Sequence, residues 1–257
     1  MDAQLINILA GGGIAAFTSL LTLLIQRYFE GRRRREDWER ERQKALEDEA
    51  RARRKAEEQK AAARQDTFAR YRYPLFRAAF DLQSRLYNIV KGGGRDLFNS
   101  PDHAPYMVDS TLYLVGQLFA WLEIVRHQGD AFEFSKPEQT EAFNRLMGEV
   151  ENEFNRRDLL NPLMTFRLQQ RELGELLIVE SAQGEKCLSY SRFAALLNDS
   201  AKSEGTLQDL RERIRQIPNL TGEPLTMRRI QNLMIDLIEL LDPPGPTQAY
   251  PGLRGKA

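Results

Sequence analysis

Apolar and polar residues follow four different patterns along the 257 residues of the chain. An uncharged apolar run comes first, then a dense mixture of Glu, Arg, Lys and Ala, then apolar residues at helical spacing, and last a stretch rich in proline and glycine. These patterns predict a transmembrane anchor at 1–29, a charged helical stalk at 30–66, a helical cytoplasmic domain at 67–243 and a disordered tail at 244–257. The predicted fold is all-α: an N-terminal transmembrane helix continues into a long charged helix, followed by a bundle of six or seven helices.

The uncharged run from Leu5 to Ile25 predicts a helix that spans a membrane. Its 21 residues include no Asp, Glu, Lys or Arg, and as a helix they cover roughly 31 Å, the thickness of a bilayer's hydrocarbon core. A cleavable signal peptide and a buried helix of a soluble domain are the alternatives. A signal peptide needs a basic leader, whereas this chain begins MDAQ, and soluble helices of this length normally carry charge on one face.

Basic residues directly after the run predict its orientation, because positive residues stay on the cytoplasmic side. The N-terminus is then outside, and everything after the run is cytoplasmic. The same residues would attract anionic lipid headgroups, while the acidic residues that follow them argue against a nucleic-acid partner. The basic residues are Arg27, Arg32, Arg33, Arg34 and Arg35.

One face of the predicted span carries small and polar residues. A step of about 100° per residue places on this face Asn7, Gly11, Ala15, Thr18 and Thr22. Small residues let membrane helices approach closely, so the pattern indicates packing against another span, in the simplest case that of an identical chain. A monomeric anchor that happens to be rich in glycine is the alternative.

The charged stalk is predicted to be one solvated helix. Strong helix formers fill it without a proline, and opposite charges recur at helical spacing, as at Glu49 and Arg53. Trp38 begins a seven-residue repeat, but Glu41 and Asp48 occupy the second position of that repeat, where a coiled coil needs apolar residues. A weak oligomeric coiled coil is the alternative.

Helical periodicity predicts the elements of the domain. A helix starts near Tyr73, with Pro74 in its first turn, and its inner face is Leu75, Ala78, Ala79, Leu82, Leu86 and Ile89. The segment 109–128 is apolar nearly all round and is the predicted central helix. Ser135 and Glu138 form a predicted capping box at the start of the next helix, whose inward residues are Phe143, Met147, Val150 and Phe154.

Two further features complete the predicted domain. The segment NPLMTFRLQQRELGELLIVES continues a helical pattern through Leu173, Leu176 and Leu177, although LLIVES and KCLSY could instead pair as a short hairpin across AQGE. The last strong helix has aligned on one face Leu225, Ile230, Met234, Leu237 and Leu241.

Composition leaves little room for familiar catalytic chemistry. The net charge is zero, and the chain has one cysteine, Cys187, and two histidines, His103 and His127. A single cysteine cannot form an intramolecular disulfide, and phosphate-binding, dinucleotide-binding and hydrolase motifs are absent from the sequence. We therefore predict no catalytic residues, no cofactor and no metal, and a small apolar role for Cys187.

Glu123 is the candidate for a buried polar cluster, because it lies within the apolar sequence FAWLEIVR. A buried carboxylate needs a partner or becomes protonated, and Arg85 and Arg171 lie on helices with apolar faces. A structural ion pair that fixes helix register, or a side chain that faces solvent, is favoured, with a catalytic or proton-sensitive acid as the alternative. Arg171 also belongs to RLQQRELGE, where Arg167, Gln170 and Gly174 lie at helical neighbour spacings from it. An ordinary solvated face is the favoured interpretation of this segment, with a polar groove beside a close helix contact as the alternative.

Four segments carry a resemblance: YPLFRAAFDLQSRLYNIV, YLVGQLFAWLEIVR, FRLQQRELGELL and LIELLDP. Across residues 5–243 the chain resembles uncharacterised bacterial proteins with one N-terminal span and a helical cytoplasmic domain. The resemblance implies a bacterial inner-membrane setting and brings no activity or residue roles.

The expected function is a non-enzymatic, membrane-tethered interaction or regulatory module, with the lipid bilayer and a protein partner or a second copy as its partners. One alternative is an oligomerising membrane effector that opens a pore or perturbs the bilayer. The other is an enzyme whose site, near Glu123, lacks a familiar motif.

Overall fold

The computed structural model describes residues 3–91, 93–129, 132–134, 136–158, 160–199 and 205–243, and up to residue 37 it describes the side chains of Gln26, Arg27 and Arg32 alone. The described chain is all-α, with seven α-helices and one short hairpin. The elements are α1 (Ala3–Val90), α2 (Ala104–Gln128), α3 (Pro137–Phe154), α4 (Arg167–Leu176), β1 (Ile178–Ser181), β2 (Gly184–Cys187), α5 (Tyr190–Leu197), α6 (Thr206–Arg215) and α7 (Leu225–Leu241). They form two compact units, Met1–Ala61 and Ala62–Ala257.

The first unit consists of the N-terminal part of α1. Every side chain from Trp38 to Ala61 is exposed, as expected for a solvated charged helix. Opposite charges pair one turn apart, with 2.7 Å between Arg53 Nη2 and Glu49 Oε1. Such exposed pairs each stabilise the helix by about 0.3–0.5 kcal/mol.

Helix α1 continues past Pro74, so the prediction that a new helix starts near Tyr73 is wrong. Pro74 lies inside α1, where it removes the hydrogen bond to the carbonyl of Arg70. Arg70 is exposed, so water can satisfy that carbonyl, and the strong helix formers before Tyr73 carry the helix through. The predicted inner face is confirmed, since Leu75, Ala78, Ala79, Leu82, Leu86 and Ile89 are all buried.

Helix α2 is the centre of the second unit, as predicted. It packs against α4, α5, α6 and the hairpin, while α3 packs against α7. Among the helices whose side chains are described, α2 alone has the length and hydropathy of a membrane span, and 78% of that stretch is buried. Its apolar character is therefore accounted for by its place in the core.

The segment after α4 forms a hairpin, so the prediction of a continuing helix is wrong and the alternative is right. Helix α4 ends at Leu176, and β1 and β2 pair in antiparallel register from Ile178 opposite Cys187 to Ser181 opposite Gly184. Gly184 has a φ of 101°, a conformation that favours glycine. Leu188 N–H also donates to Leu177 O at 2.7 Å, which extends the pairing.

Helix α3 starts later than the predicted capping box requires. It begins at Pro137 with Lys136 at the N-cap position, and Ser135 lies outside the described residues. The chain is instead held by Phe134 N–H, which donates to Thr140 Oγ1 at 3.0 Å. Of the predicted inward residues, Phe143, Val150 and Phe154 are buried and Met147 is partly buried.

The inner face of α7 is confirmed apart from its first residue. Ile230, Met234, Leu237 and Leu241 are buried, whereas Leu225, the first residue of the helix, is 45% exposed.

Candidate functional site

Glu123 is buried on α2 and takes part in an ion-pair network that joins three helices. Arg126, one turn later on α2, donates to Glu123 and to Glu151 of α3. Arg171 of α4 lies farther away, with 3.9 Å between its Nε and Glu123 Oε1. The carboxylate therefore has cationic partners on its own helix and on α4, and through Arg126 it is linked to α3.

A close contact between α2 and α4 lies beside this network. A Cβ on Gly174 would stand 2.8 Å from Phe119 O and 3.0 Å from Glu123 Cγ, so only glycine lets the two helices approach this closely. Gln170, one turn earlier, is buried and donates to Glu151 O at 3.0 Å and to Thr165 O at 2.8 Å. These contacts set the register of α4 and make a structural role the simplest account of Glu123.

Arg85 does not join Glu123. It lies near the C-terminal end of α1, where Nη1 donates to Thr111 Oγ1 at 3.1 Å and approaches Met107 O at 3.4 Å. Both acceptors lie in the first turns of α2 and are neutral. The structure thus brings together two of the three residues predicted for the polar cluster and places the third in a different environment.

Arg85 and four other ionisable groups in this part of the second unit have shifted pKa values. Burial raises the pKa of Asp81 against a smaller opposing effect of Arg77, and burial lowers the pKa of Arg85. Burial likewise raises the pKa of Tyr113 and of Tyr190, and raises the pKa of the Cys187 thiol to about 12. Clusters of shifted groups are more frequent at functional sites than elsewhere.

Aromatic packing connects these groups. The ring of Tyr190 stands edge-to-face with those of Tyr106 and Tyr113, at centroid distances of 6.1 and 5.4 Å. Tyr113 also donates its hydroxyl proton to Leu188 O at 2.8 Å, which fixes the end of the hairpin against α2. Cys187 remains a thiol at neutral pH and is not an activated nucleophile.

A cleft opens beside Arg85, and we call it the Arg85 cleft. Its volume is about 450 Å³, and its lining residues are Arg85, Asn88, Gly93, Gly94, Leu97 and Met107. Sequence patterns singled out Arg85 as a charge on an apolar-faced helix but did not indicate Asp81, Tyr113 or Tyr190. These residues come close together because of how α1, α2 and α5 pack. The spacing of residues within a single helix does not predict that packing.

The described residues contain no group of three or more His, Cys, Asp or Glu side chains placed to hold a metal ion. His127, in the last turn of α2, has Nδ1 3.0 Å from Glu185 Oε1 of β2. This contact joins the hairpin to α2.

The residues predicted to act at the membrane fall mostly outside the described side chains. This applies to Asn7, Gly11, Ala15, Thr18 and Thr22 of the packing face, and to Arg33, Arg34 and Arg35. Arg27 and Arg32 are described, and both are exposed.

The described residues form an all-α fold with an ion-pair network that joins α2, α3 and α4 and a cleft near the end of α1 that is lined in part by Arg85. Comparison with protein-family models, with curated proteins and with solved structures gives no match.

Proposed function

We propose that this protein is a non-enzymatic interaction or regulatory module tethered to the cytoplasmic membrane by one N-terminal span, with its N-terminus outside and its helical domain in the cytoplasm. The observation that carries the proposal is the charge pattern of α1. Leu5 to Ile25 is uncharged, and five arginines follow within ten residues of its end. This is the arrangement that retains a helix in a bilayer and fixes its orientation.

The exposed side chains in the charged part of α1 support its role as a tether, because this segment does not form a hydrophobic core. Its side chains from Trp38 to Ala61 are exposed, and Trp38 and Leu46 are each 59% exposed. The Arg42 guanidinium lies 5.3 Å from the centre of the Trp38 ring, a local contact that any solvated helix can make. This segment buries no core of its own, which suits a connection between a membrane and a folded domain.

The Glu123 network supports an interaction module in preference to an enzyme. Glu123 is held by Arg126 and lies beside Gly174 at the closest approach of α2 and α4. A carboxylate held in this way by a neighbouring arginine stabilises the packing of the helices. Self-association through the small-residue face of the span is part of the proposal.

Membrane fractionation of the full chain tests the tether. The protein should sediment with membranes, resist extraction by alkaline carbonate and dissolve in detergent. Phe17→Arg places a charge near the middle of the run, which costs about 2.5–3.5 kcal/mol of insertion free energy, and should shift the protein towards the soluble fraction. Gln26→Arg, just beyond the run, is the matched control and should leave it in the membrane. A wild-type chain that is soluble without detergent would refute the tether.

A further inference from the structure

The Arg85 cleft lies where the end of α1, the loop after it and the first turns of α2 meet. Its volume of about 450 Å³ is within the range of small-molecule pockets. Three of its lining residues, Gly93, Gly94 and Leu97, belong to the loop, and Met107 comes from α2. The cleft therefore has one cation, Arg85, and two apolar side chains around an open space.

Arg85 is half-buried in this cleft and has no carboxylate partner among the described residues. Its hydrogen bonds go to Thr111 Oγ1, Met107 O and Met107 Sδ, and the Tyr106 side chain also interacts with it; none of these partners is a carboxylate. By contrast, half-buried Arg211 is paired with Asp109 through bonds of 2.7 and 2.9 Å. A desolvated guanidinium without an anion is unfavourable for the fold, and a bound oxyanion would compensate that cost with charge-assisted hydrogen bonds.

Gly94 allows the loop after α1 to pack closely against the last turn of that helix. A Cβ at this position would stand 2.7 Å from Asn88 O, and Gly94 N–H donates to the same oxygen at 3.2 Å. The loop therefore folds directly onto the last turn of α1. Leu97, which is 42% exposed, and the buried Met107 are the apolar side chains that line the cleft.

The charge of Arg85 and the apolar lining residues of the cleft indicate the chemical class of the ligand. One guanidinium balances one negative charge, as a carboxylate carries, whereas a phosphate monoester brings about 1.5–2 charges and calls for more donors. Leu97 and Met107 favour an apolar body next to that carboxylate. We propose that the Arg85 cleft binds small carboxylic acids with an apolar or aromatic body, with the carboxylate on Arg85.

Ligand-observed fluorine NMR on the full chain in detergent tests the site, with 4-fluorobenzoate as probe and the isosteric neutral 4-fluorobenzamide as its control. Wild-type protein should broaden the benzoate resonance, and Arg85→Met should weaken that binding at least about tenfold. Arg77→Gln, which removes a cation two turns earlier on the same helix, should leave it unchanged. Benzamide should give no difference between wild type and Arg85→Met.

A melting measurement separates a binding role from a structural one. Thr111 Oγ1 donates to Met107 O at 2.6 Å, so this pair stays bonded when Arg85 is replaced. Without ligand, Arg85→Met should therefore melt at the wild-type temperature or above it, and benzoate should raise the melting temperature of the wild type alone. Arg85→Lys keeps the charge without the planar fork, so it should bind benzoate weakly but measurably.

Three outcomes would overturn the proposal. One is equal binding of benzoate to wild type and Arg85→Met. Another is a clear loss of melting temperature in Arg85→Met, because that would make Arg85 structural. The third is binding of inorganic phosphate in the same assay without binding of benzoate, which would exclude the proposed ligand class. Each of these results leaves the membrane tether unaffected.

Discussion

At the scale of single residues, a few glycine and polar contacts fix how the helices of the second unit meet. Gly174 allows the close approach of α2 and α4, and Gln170 and Arg126 connect those helices to α3. Apolar burial supplies most of the stability, but it does not choose one register. These directional contacts select the register, because each of them can form in only one relative position of the helices.

Gly174→Ala should destabilise the protein by about 1–3 kcal/mol, because the added methyl group would collide with the backbone at Phe119 O. Gly148 of α3 is the matched control, since a Cβ there meets nothing within 4 Å. Gly148→Ala should stabilise the protein by about 0.5–1 kcal/mol through helix propensity. Chemical denaturation measures both, and equal effects of the two substitutions would contradict the close contact.

Arg126→Gln should cost about 2–3 kcal/mol of unfolding free energy, because the buried Glu123 loses the cation that hydrogen-bonds to it. Arg171→Gln should cost less than about 0.5 kcal/mol, since Arg171 is 52% exposed and 3.9 Å from the carboxylate. Denaturation midpoints of the two variants make the comparison. A larger loss from Arg171→Gln would mean that the network is organised around α4 instead.

Asp81 should make stability depend on pH in an unusual direction. Burial raises its pKa in the folded protein, so its contribution is fully present below the unfolded pKa of about 3.9 and is lost as pH rises through the folded value. Asp81→Asn should therefore stabilise the protein near pH 7 and have little effect below about pH 4. Melting curves across this range test the sign, with the exposed Asp66→Asn as control; a variant less stable than wild type at pH 7 would contradict it.

At the scale of elements, helices with a clear apolar face could be predicted from the sequence, whereas the short hairpin emerged only as an alternative to a helix. The inner face of α1 and the central position of α2 follow from the spacing of apolar residues alone. The hairpin depends on a positive φ at Gly184 and on contacts with α2 through Tyr113 and His127, which act across the fold. The sequence predicts Ser135 as the N-cap of α3, whereas the helix begins at Pro137 with Lys136 at that position. A Ser followed three residues later by a Glu fits the capping-box pattern even where the helix begins at a neighbouring residue.

The candidate site was predictable only in part, for the same reason. An acid in an apolar run marks Glu123, and a cation on an apolar-faced helix marks Arg171 and Arg85. Which of the two cations reaches the acid depends on the packing of α1 and α4 against α2. The need for glycine at position 94 likewise could not be predicted from the sequence, because it arises from the contact with Asn88 O.

The predicted span provides a further test at this scale. Gly11→Leu should reduce crosslinking between copies of the full chain in membranes several-fold, because a large side chain keeps two helices apart. Leu20→Ala changes the opposite face of the predicted helix and should leave crosslinking as in the wild type. Unchanged crosslinking in Gly11→Leu would favour the monomeric anchor.

At the scale of the whole molecule, the proposed tether depends on α1, which runs from Ala3 to Val90. Its uncharged start would lie in the bilayer, its charged middle would stay in water, and its last turns pack in the core of the second unit. In the proposed orientation the Arg85 cleft would face the cytoplasm, where soluble acids are available to it. Orientation of α1 is therefore the central claim.

Cysteine labelling of intact cells measures that orientation most directly. The native Cys187 should stay silent at neutral pH, because its pKa is raised to about 12 and the thiolate is the reacting form. A membrane-impermeant maleimide should label Ala3→Cys in intact cells, and should label Ala61→Cys only after the membrane is opened. Labelling of Ala61→Cys in intact cells, with Ala3→Cys protected, would contradict the account.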